Sequence, residues 1–266
     1  MSIYAEKNGP VTTIIMERPD ARNAVDPATA DALIAEFEAF NRDPQAKVAV
    51  FFGSHGTFCA GWDLKYGASL AGKDARRELA LDFPQDTAPV PRGPMGPSRL
   101  ELDKPVIGAV AGAAVAGGME LALWCDMRIM EEDAFFGVYC RRWGVPLIDG
   151  GTVRLPRIVG MGRAMDIILT GRRVDAEEAY RIGLCERVVP HGQARQAAEA
   201  LAIEIARFPQ GAVRADRHSA YRQHGLSVRE AMRLEWANGA TALTEAIPGA
   251  GRFASGKGRH GAFDDI

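Results

Sequence analysis

Residues 106–125 read VIGAVAGAAVAGGMELALWC, and the expected architecture is clearest in this stretch. Val106–Val110 is a continuous apolar run, which is typical of a β-strand buried on both faces. The segment after Glu120 is apolar on every side, so it predicts a helix that is buried rather than half exposed. The stretch therefore predicts a buried strand, a turn with little side-chain bulk, and a buried helix that carries one acid near its start.

Glu120 is the only acid in this stretch. Taking a carboxylate out of water costs several kcal/mol unless it is paired or neutralised. Burial raises the pKa of such a carboxyl, whereas a helix N-terminus stabilises its charge, so the two effects oppose each other. A glutamate balanced in this way is suited to transferring protons. The alternative is a first-turn glutamate that caps its own helix.

Short apolar or β-branched runs alternate with helical segments along the first part of the chain. The strands expected from such runs are Val11–Met16, Val48–Phe52, Val106–Val110, Met127–Met130 and Ala134–Phe136. Asp26 and Pro27 open a helix, because proline is favoured at the first helical position. This alternation predicts an α/β layer with crossover connections.

After Gly162 the apolar residues recur at helical spacing throughout. We therefore expect only helices in this part of the chain, over Arg163–Leu169, Asp175–Ile182, Gln193–Phe208, Val213–Tyr221 and Val228–Glu245. The sequence predicts an α/β core over residues 1–200. Residues 201–266 are expected to form a helical region better suited to association than to chemistry.

The segment Phe83–Pro97 contains five prolines, so it is expected to be a loop. A loop of this length inside a compact domain is usually a lid, a pocket wall or a disordered insert. The sequence leaves these three alternatives open.

Composition and charge narrow the class of protein. A chain of 266 residues with 47% hydrophobic and 25% charged residues is ordinary for a soluble globular enzyme. A formal net charge of -2 is not the excess of positive charge that binding to nucleic acid or to an anionic membrane would favour. No stretch approaches the length of a membrane span. The first residues lack the basic leader and apolar core of a signal peptide, so a cytoplasmic location is expected.

The cysteines and histidines indicate neither a disulfide framework nor a metal site. Cys59, Cys125, Cys140 and Cys185 lie beside apolar residues and show no paired spacing, which favours reduced, buried thiols. The five histidines are scattered, and none pairs at metal spacing. We therefore expect no bound metal.

Two turns of small residues follow predicted strands, one within Phe58–Leu64 and one within Gly112–Glu120. Each turn precedes an expected helix start, where free backbone N–H groups gather and negative charge is favoured. Two such N–H groups on one oxygen form an oxyanion hole. The alternative is a pair of tight turns that need glycine for backbone reasons alone.

Asp149 is a second acid of interest, because an apolar loop delivers it to the glycine turn Gly150-Gly151. The alternative is that it caps a helix beginning near Gly151. Other catalytic motifs are poor: the serine at Gly53–Gly56 lacks the spacing of a nucleophile elbow, and no phosphate-binding or dinucleotide fingerprint is present.

Three segments carry a resemblance to a known family. They are Phe58–Lys65 (FCAGWDLK), Lys104–Gly112 (KPVIGAVAG) and Ala116–Ala122 (AGGMELA). Together with Arg18-Pro19 and with Leu169–Arg172 (LTGR), they resemble the crotonase, or enoyl-CoA hydratase/isomerase, superfamily. The resemblance covers nearly the whole chain, and its motifs are specific in combination.

The resemblance implies a spiral of ββα turns with a C-terminal helical trimerisation region, commonly assembled as a dimer of trimers. It also implies an acyl-coenzyme A substrate, whose thioester enolate is stabilised by the backbone N–H groups of Trp62 and Gly117. The residues that would contact the coenzyme are Arg22, Ala60, Asp63, Leu64 and Phe263, with basic tail residues such as Lys257.

The sequence departs from the hydratase pattern at Cys140. Hydratases of this family carry one glutamate matching Glu120 and a second twenty residues later, where this chain has the thiol of Cys140. Asp149 is the nearest replacement, since several family members carry a working aspartate in this loop, a residue or two away. Trp62 is larger than the small residue usual there, so its indole is expected to narrow the acyl pocket.

The expected function is therefore that of an acyl-CoA enzyme of hydratase/isomerase type, with Glu120 as acid and base and Asp149 as partner. No metal or bound redox cofactor is needed, since coenzyme A arrives as part of the substrate. One alternative is a thioesterase or dehalogenase-like hydrolase in which Asp149 is a nucleophile. The other is an acyl-CoA-binding paralogue with little catalysis.

Overall fold

The computed structural model describes residues 2–85, 88–258 and 260 of the chain. Within these ranges the strands are β1 (Ile3–Asn8), β2 (Val11–Met16), β3 (Val48–Gly53), β4 (Val106–Val110), β5 (Ala113–Val115), β6 (Met127–Glu131), β7 (Phe135–Gly137), β8 (Arg173–Asp175) and β9 (Arg187–Val189). The helices are α1 (Pro27–Arg42), α2 (Leu64–Ala68), α3 (Ala75–Leu79), α4 (Gly117–Trp124), α5 (Gly151–Val159), α6 (Met161–Thr170), α7 (Ala176–Arg181), α8 (Ala194–Arg207), α9 (Gln210–Arg222) and α10 (Val228–Ala254). Strands and helices alternate over most of the chain, as the α/β prediction requires.

The larger sheet has the strand order β1-β2-β3-β4-β6-β9. β1 and β2 form an antiparallel hairpin, and every other neighbouring pair is parallel. In this register Val11 lies beside Val48, and Ala49 lies beside Val106. Because parallel strands run in one direction, the turns that follow β3 and β4 emerge at the same edge of the sheet. The two predicted turns of small residues follow these strands.

A smaller sheet has the order β5-β7-β8, in which β5 and β7 are parallel and β7 and β8 are antiparallel. Phe136 lies opposite Val174, and both side chains are fully buried. β5 leads directly into α4. The N–H of Ala116, between β5 and α4, donates a hydrogen bond to the carbonyl of Gly137 (2.8 Å). The small sheet therefore fixes where α4 begins.

Both faces of the larger sheet are covered. On one face the ring of Phe37 from α1 packs edge-on against Phe51 and Trp124, with centroids 5.1 and 4.8 Å apart. On the other face lies α8, whose buried Ala198 and Ala202 allow the helix to approach closely. Burial on both faces accounts for the continuous apolar runs of β3 and β4.

Sequence and structure agree most closely at the longer apolar and β-branched runs. β2 and β4 have the predicted bounds, and β3 and β6 each extend one residue further. α1 begins where Asp26 and Pro27 indicate, and the Asp26 carboxylate accepts a hydrogen bond from the N–H of Thr29 (2.8 Å). Long runs with a clear start are therefore the best predicted elements.

The prediction of wholly helical structure after Gly162 is wrong, because β8 and β9 lie in that region. Each strand is three residues long, and of the β8 residues only Val174 is buried. So short a segment cannot show the alternation that separates a strand from a helix. Their pairing with β7 and β6 makes them strands, and that pairing depends on the tertiary fold.

The C-terminal helices α9 and α10 pack on each other, and no residue of α10 is buried. α9 joins the core through polar contacts: the guanidinium of Arg217 and the hydroxyl of Tyr221 each donate to Asp126 (both 2.8 Å). α10 passes through Pro248 and ends at Ala254, beyond the predicted end. In the described part of the chain, no helix is long and apolar enough to cross a bilayer.

Candidate active site

Glu120 lies in the first turn of α4 with only 3% of its surface exposed. Its Oε1 atom accepts hydrogen bonds from the N–H groups of Asp149 (2.9 Å) and Gly151 (2.8 Å). The carboxylate is thus held at the N-terminus of α5. The alternative that Glu120 caps its own helix is wrong, because no side chain caps α4.

The pKa of Glu120 is raised from 4.5 to about 7, chiefly by burial and in the same direction by the nearby charge of Asp149. The N–H groups of Gly151 and Asp149 and the charge of Arg154 lower the pKa, but they do not cancel the effect of burial. A carboxyl with this pKa exists in both protonation states near neutral pH, as a proton-transfer group requires.

Asp149 is also buried, with 4% of its surface exposed. Its Oδ1 atom accepts hydrogen bonds from the N–H of Met95 (3.0 Å) and from the hydroxyl of Ser98. The alternative of a helix cap is wrong, because the N-cap residue of α5 is Gly150 and no side chain caps this helix. Burial raises the pKa of Asp149, against the hydrogen bonds of Ser98 and Met95.

The two turns of small residues lie against each other. The carbonyl of Cys59 accepts a hydrogen bond from the N–H of Val115 (3.0 Å). A Cβ on Gly61 would lie 3.0 Å from the nitrogen of Gly117, so the turns approach too closely for any side chain there. Among the described residues, the N–H groups of Trp62 and Gly117 donate no hydrogen bond. Two adjacent turns therefore offer free backbone donors.

A cavity of about 300 Å³ connects these groups. Its polar lining includes Glu120, Asp149 and the thiol of Cys140, and Trp62 and Gly117 also lie on its wall. The apolar lining includes Leu64, Leu79, Pro94, Met95, Tyr139, Trp143, Val145, Pro146 and Ile148. Pro94 and Met95 come from the proline-rich segment, whose C-terminal part therefore forms a pocket wall.

Cys140 lies in the same cavity as Glu120, as its sequence position suggested. Burial raises the pKa of its thiol, and the charge of Glu120 adds to that effect. All four cysteines are free and buried, which confirms the prediction made for them. A protonated thiol with a raised pKa is a poorer proton donor than the two carboxyls, Glu120 and Asp149, that line the same cavity.

The residues matched to the coenzyme side are close together along two backbone segments. The N–H of Ala60 donates to the carbonyl of Arg22 (3.0 Å), and Arg22 is exposed. The Asp63 carboxylate caps α2 through the N–H of Lys65 (2.9 Å) and pairs with Arg18 (3.3 Å). Its side chain is therefore already used within the protein.

Leu64 and Ala60 line the cavity, whereas Arg22 and Asp63 lie outside it. Phe263 lies outside the described residues. Lys257 is described and exposed, just beyond the C-terminal end of α10.

The sequence did not indicate Met95, Ser98 or Arg154 as site residues. Ser98 and Met95 reach Asp149 across more than fifty residues of chain. Nothing in the proline-rich segment specifies this contact. Arg154 had a detectable pattern: it stands one helical turn after Gly150, which places it beside the N-terminus of α5.

Glu131, Asp133 and His191 form a separate group, whose potential metal-ligating atoms lie within 4.8 Å of one another. His191 pairs with Asp133 (3.0 Å). The buried Glu131 carboxylate accepts from the N–H of Ala194 (3.4 Å). Exposed acids beside a histidine commonly form an ion pair without a metal, and the geometry of the group is accounted for in that way.

A family model for enoyl-CoA hydratase/isomerase matches residues 6–240. Carnitinyl-CoA dehydratases from Salmonella typhi and Salmonella typhimurium are each 37% identical to this chain over 209 residues, which cover 77% of it and 74% of each relative. The chain belongs to the enoyl-CoA hydratase/isomerase family, and it is an enzyme of that family.

Solved structures agree with this conclusion. The enoyl-CoA hydratase from Mycobacterium tuberculosis H37Rv matches with a TM-score of 0.85 and 31% identity, covering 96% of each chain. The enoyl-CoA hydratase from Bacillus anthracis matches with a TM-score of 0.84 and 27% identity, again covering 96% of each chain. The predicted crotonase-like α/β fold with a C-terminal helical region is confirmed.

Proposed function

We propose that this enzyme adds water to, or removes water from, an acyl group carried as its coenzyme A thioester. The observation that carries the proposal is the pair of buried carboxyls, Glu120 and Asp149, on one cavity with the free N–H groups of Trp62 and Gly117. The name of the dehydratase relatives describes removal of water from an acyl-CoA, which supports the same reaction class.

The N–H groups of Trp62 and Gly117 are proposed to hold the thioester oxygen. Negative charge develops on that oxygen as the thioester becomes an enolate. Donors fixed in advance stabilise that charge without reorganising, and the loss of one such donor costs about 3 to 4 kcal/mol in comparable sites. The approach of Gly61 to Gly117 supports this role, because it fixes the two donors relative to each other.

Glu120 is proposed to exchange the proton, with Asp149 as its partner. In hydration, one carboxylate takes a proton from water as the oxygen bonds to Cβ of the acyl group. The other carboxyl, protonated, then delivers its proton to Cα. Proton exchange between the neighbouring carboxyls restores their starting protonation states. The pKa of about 7 for Glu120 supports this, since that group can carry a proton near neutral pH, and burial raises the pKa of Asp149 in the same direction.

The coenzyme portion is proposed to bind along Arg22, Ala60, Asp63 and Leu64, with Phe263 and Lys257 of the tail. Because the Asp63 carboxylate caps α2 and pairs with Arg18, its contribution is proposed to come from the main chain. Trp62 is proposed to limit the acyl group, since its ring lies on the cavity wall and packs edge-on against Tyr66 (6.1 Å).

The test is a steady-state assay of the purified enzyme with crotonyl-CoA for hydration and carnitinyl-CoA for dehydration. Glu120→Gln should keep the fold and the affinity for coenzyme A esters while lowering turnover about 100-fold or more. Asp149→Asn tests the partner in the same assay. The exposed Glu177→Gln is the matched control. Unchanged turnover in Glu120→Gln would remove Glu120 from the mechanism.

A hydrolase mechanism with Asp149 as the nucleophile is the second candidate. Among the described residues, no hydrogen bond is made to its Oδ2 atom, which leaves that oxygen available for attack. Mass spectrometry of the quenched reaction would detect an acyl-enzyme at Asp149, whereas rapid hydration of crotonyl-CoA would exclude this candidate. Tight ester binding with no turnover of any ester would instead indicate a non-catalytic paralogue.

We infer that α9 and α10 mediate self-association, into a trimer or a dimer of trimers. A boundary at residue 200 would divide α8, which lies on the larger sheet, so the associating region is proposed to begin with α9. Support comes from the apolar residues exposed at helical spacing along α10, which are Val228, Met232, Trp236, Leu243 and Ile247.

A further inference from the structure

The guanidinium of Arg154 lies where two segments of the site meet. It is on the first turn of α5, and its Nη1 donates to the main-chain carbonyl of Asp149 (2.9 Å). Its Nη2 donates to the main-chain carbonyl of Ser98 (2.8 Å). One planar group thus connects the start of α5 with the short helical turn Pro97–Arg99.

We propose that Arg154 is a positioning residue, which holds the carboxyl groups of Asp149 and Glu120 in their reactive arrangement by fastening these two segments together. The proposal rests on the proposed acid–base function of that pair. Arg154 is not on the cavity wall, so it acts through its neighbours rather than on the substrate.

The hydrogen bonds around Arg154 connect in sequence. Arg154 binds the main-chain carbonyl of Ser98. From the same segment, the Ser98 hydroxyl and the Met95 N–H both donate to Oδ1 of Asp149. Arg154 also binds the main-chain carbonyl of Asp149. At this start of α5, the N–H groups of Asp149 and Gly151 both donate to Oε1 of Glu120. Both carboxyls are therefore positioned by segments that one side chain joins.

The two terminal nitrogens of the guanidinium form a fork, and this fork allows Arg154 to join the two segments. Its two nitrogens reach carbonyls on different segments at once, whereas an ammonium is a single point donor. Gly150 accommodates the fork: a Cβ there would lie 2.1 Å from Nη1 of Arg154, and the residue has a φ of +97°. The glycine before α5 thus leaves room for the guanidinium.

The charge of Arg154 acts on both acids, lowering the pKa of Glu120 and of Asp149 against the larger effect of burial. Four groups face Arg154 from the elements around it: Tyr221 of α9, Glu120 of α4, Asp149 before α5, and Cys125 at the end of α4. The two acids favour its charged form, so the cation and the acids stabilise one another.

Other groups face the two carboxyls directly. Glu120 faces Asp149, and the charge of Glu120 raises the pKa of the Cys140 thiol. Asp149 faces Arg99, whose charge also lowers the pKa of Asp149. The charge of Asp149 in turn raises the pKa of the Cys59 thiol. The charge of Arg154 acts on both carboxyls, so its removal should affect both.

The experiment compares Arg154→Gln, which removes the charge and the fork, with Arg154→Lys, which keeps the charge alone. The exposed Arg157→Gln, on the same helix, is the control. Carbon-13 NMR gives the pKa of the Glu120 carboxyl, assigned with Glu120→Gln, and steady-state assays give kcat, KM and the pH profile. Thermal unfolding verifies that each variant is folded.

Arg154→Gln should raise the Glu120 pKa by about one pH unit, because an opposing charge is lost. The limb of the pH–rate profile that reports this carboxyl should move to higher pH, whether the group acts as acid or base. The kcat should fall about 100-fold for Gln and about tenfold for Lys, because small displacements of reacting groups are costly. KM should stay within about twofold, since Arg154 does not line the cavity.

The proposal is overturned if Arg154→Lys keeps the wild-type kcat, or if the Glu120 pKa in Arg154→Gln equals that in Arg157→Gln. It is also overturned if the variants raise KM at constant kcat. Should Arg154→Gln not fold, the kcat of Arg154→Lys decides. Should the wild-type enzyme turn over no ester, the proposed function fails, and the NMR comparison still decides whether Arg154 controls the pair.

Discussion

The carboxyl of Glu120 experiences two opposing effects, and the structure shows which is larger. Two N–H groups at the start of α5 point at its Oε1 atom, and a helix N-terminus favours negative charge. Burial nevertheless dominates, because the pKa lies above its ordinary value of 4.5, at about 7. The hydrogen bonds keep the group oriented without forcing it to remain ionised.

The raised pKa of Glu120 predicts a pH-dependent stability cost. The folded state holds the proton more tightly than the unfolded state, so stability is highest at low pH and falls as the pH rises from 4.5 towards 7. That span corresponds to a loss of about 3 kcal/mol. Glu120→Gln does not titrate, so its unfolding free energy should rise relative to wild type by about this amount between pH 4.5 and pH 8.

Denaturant unfolding of both proteins at several pH values measures this difference. The exposed Glu177→Gln should show no such trend, because Glu177 is open to solvent. A constant difference between wild type and Glu120→Gln at every pH would show that the Glu120 carboxyl is not desolvated in the folded protein.

Gly61 predicts a second effect at the scale of one residue. Its φ of +97° is unfavourable for a residue with a side chain, and a Cβ would lie 2.9 Å from Cβ of Ala116. Gly61→Ala should lower the unfolding free energy by about 1 to 3 kcal/mol. It should also lower turnover at least about tenfold, because it pushes the two free N–H groups apart.

Gly162→Ala is the matched control, since it stands in α6 and a Cβ added there would have no other atom within 4 Å. That variant should keep full turnover and gain up to about 1 kcal/mol of stability. Chemical denaturation and the hydration assay measure both variants. Equal turnover in Gly61→Ala and Gly162→Ala would contradict the proposed donor arrangement.

At the scale of elements, α5 explains why the site was only partly predictable. Local patterns in the sequence indicated Glu120, Asp149 and the two turns of small residues, and the family resemblance implied Trp62 and Gly117 within those turns. The sequence did not reveal that α5 receives the Glu120 carboxylate, because that contact joins residues about thirty apart. A hydrogen bond between separate elements leaves no periodicity in either one.

The same distinction applies to the strands. β2 was predicted because it is a β-branched run and β4 because it is a continuous apolar run, and both strands are buried along their whole length. β8 and β9 were missed because three residues carry no periodic pattern, and only their neighbours in the sheets make them strands. Local physical chemistry therefore specifies the long core elements, and tertiary pairing specifies the short ones.

The start of α1 provides a prediction at this scale. The Asp26 carboxylate caps the helix through Thr29 (2.8 Å) and pairs with Arg18 (3.1 Å). Asp26→Ala should lower the unfolding free energy by about 1 to 2 kcal/mol. The exposed Asp20→Ala should change it by less than about 0.5 kcal/mol. Urea denaturation measures both, and equal values would show that the cap contributes nothing.

At the scale of the whole molecule, the larger sheet and helix α10 differ in how far other elements of the protein cover them. Both faces of the larger sheet are packed, by α1 on one side and α8 on the other. α10 has no buried residue, although its 27 residues make it the longest helix in the described ranges. An exposed apolar stripe on so long a helix is the feature on which the proposed self-association rests.

Trp236 is central to that stripe and is 68% exposed. If self-association buries it, Trp236→Glu places a charge in an apolar interface, and the protein should dissociate towards monomer. Ala237→Glu adds the same charge outside the stripe, so it should keep the wild-type assembly. Sedimentation equilibrium at several concentrations gives the mass of each protein. A wild-type monomer, or a Trp236→Glu assembly of unchanged mass, would show that the stripe is not the interface.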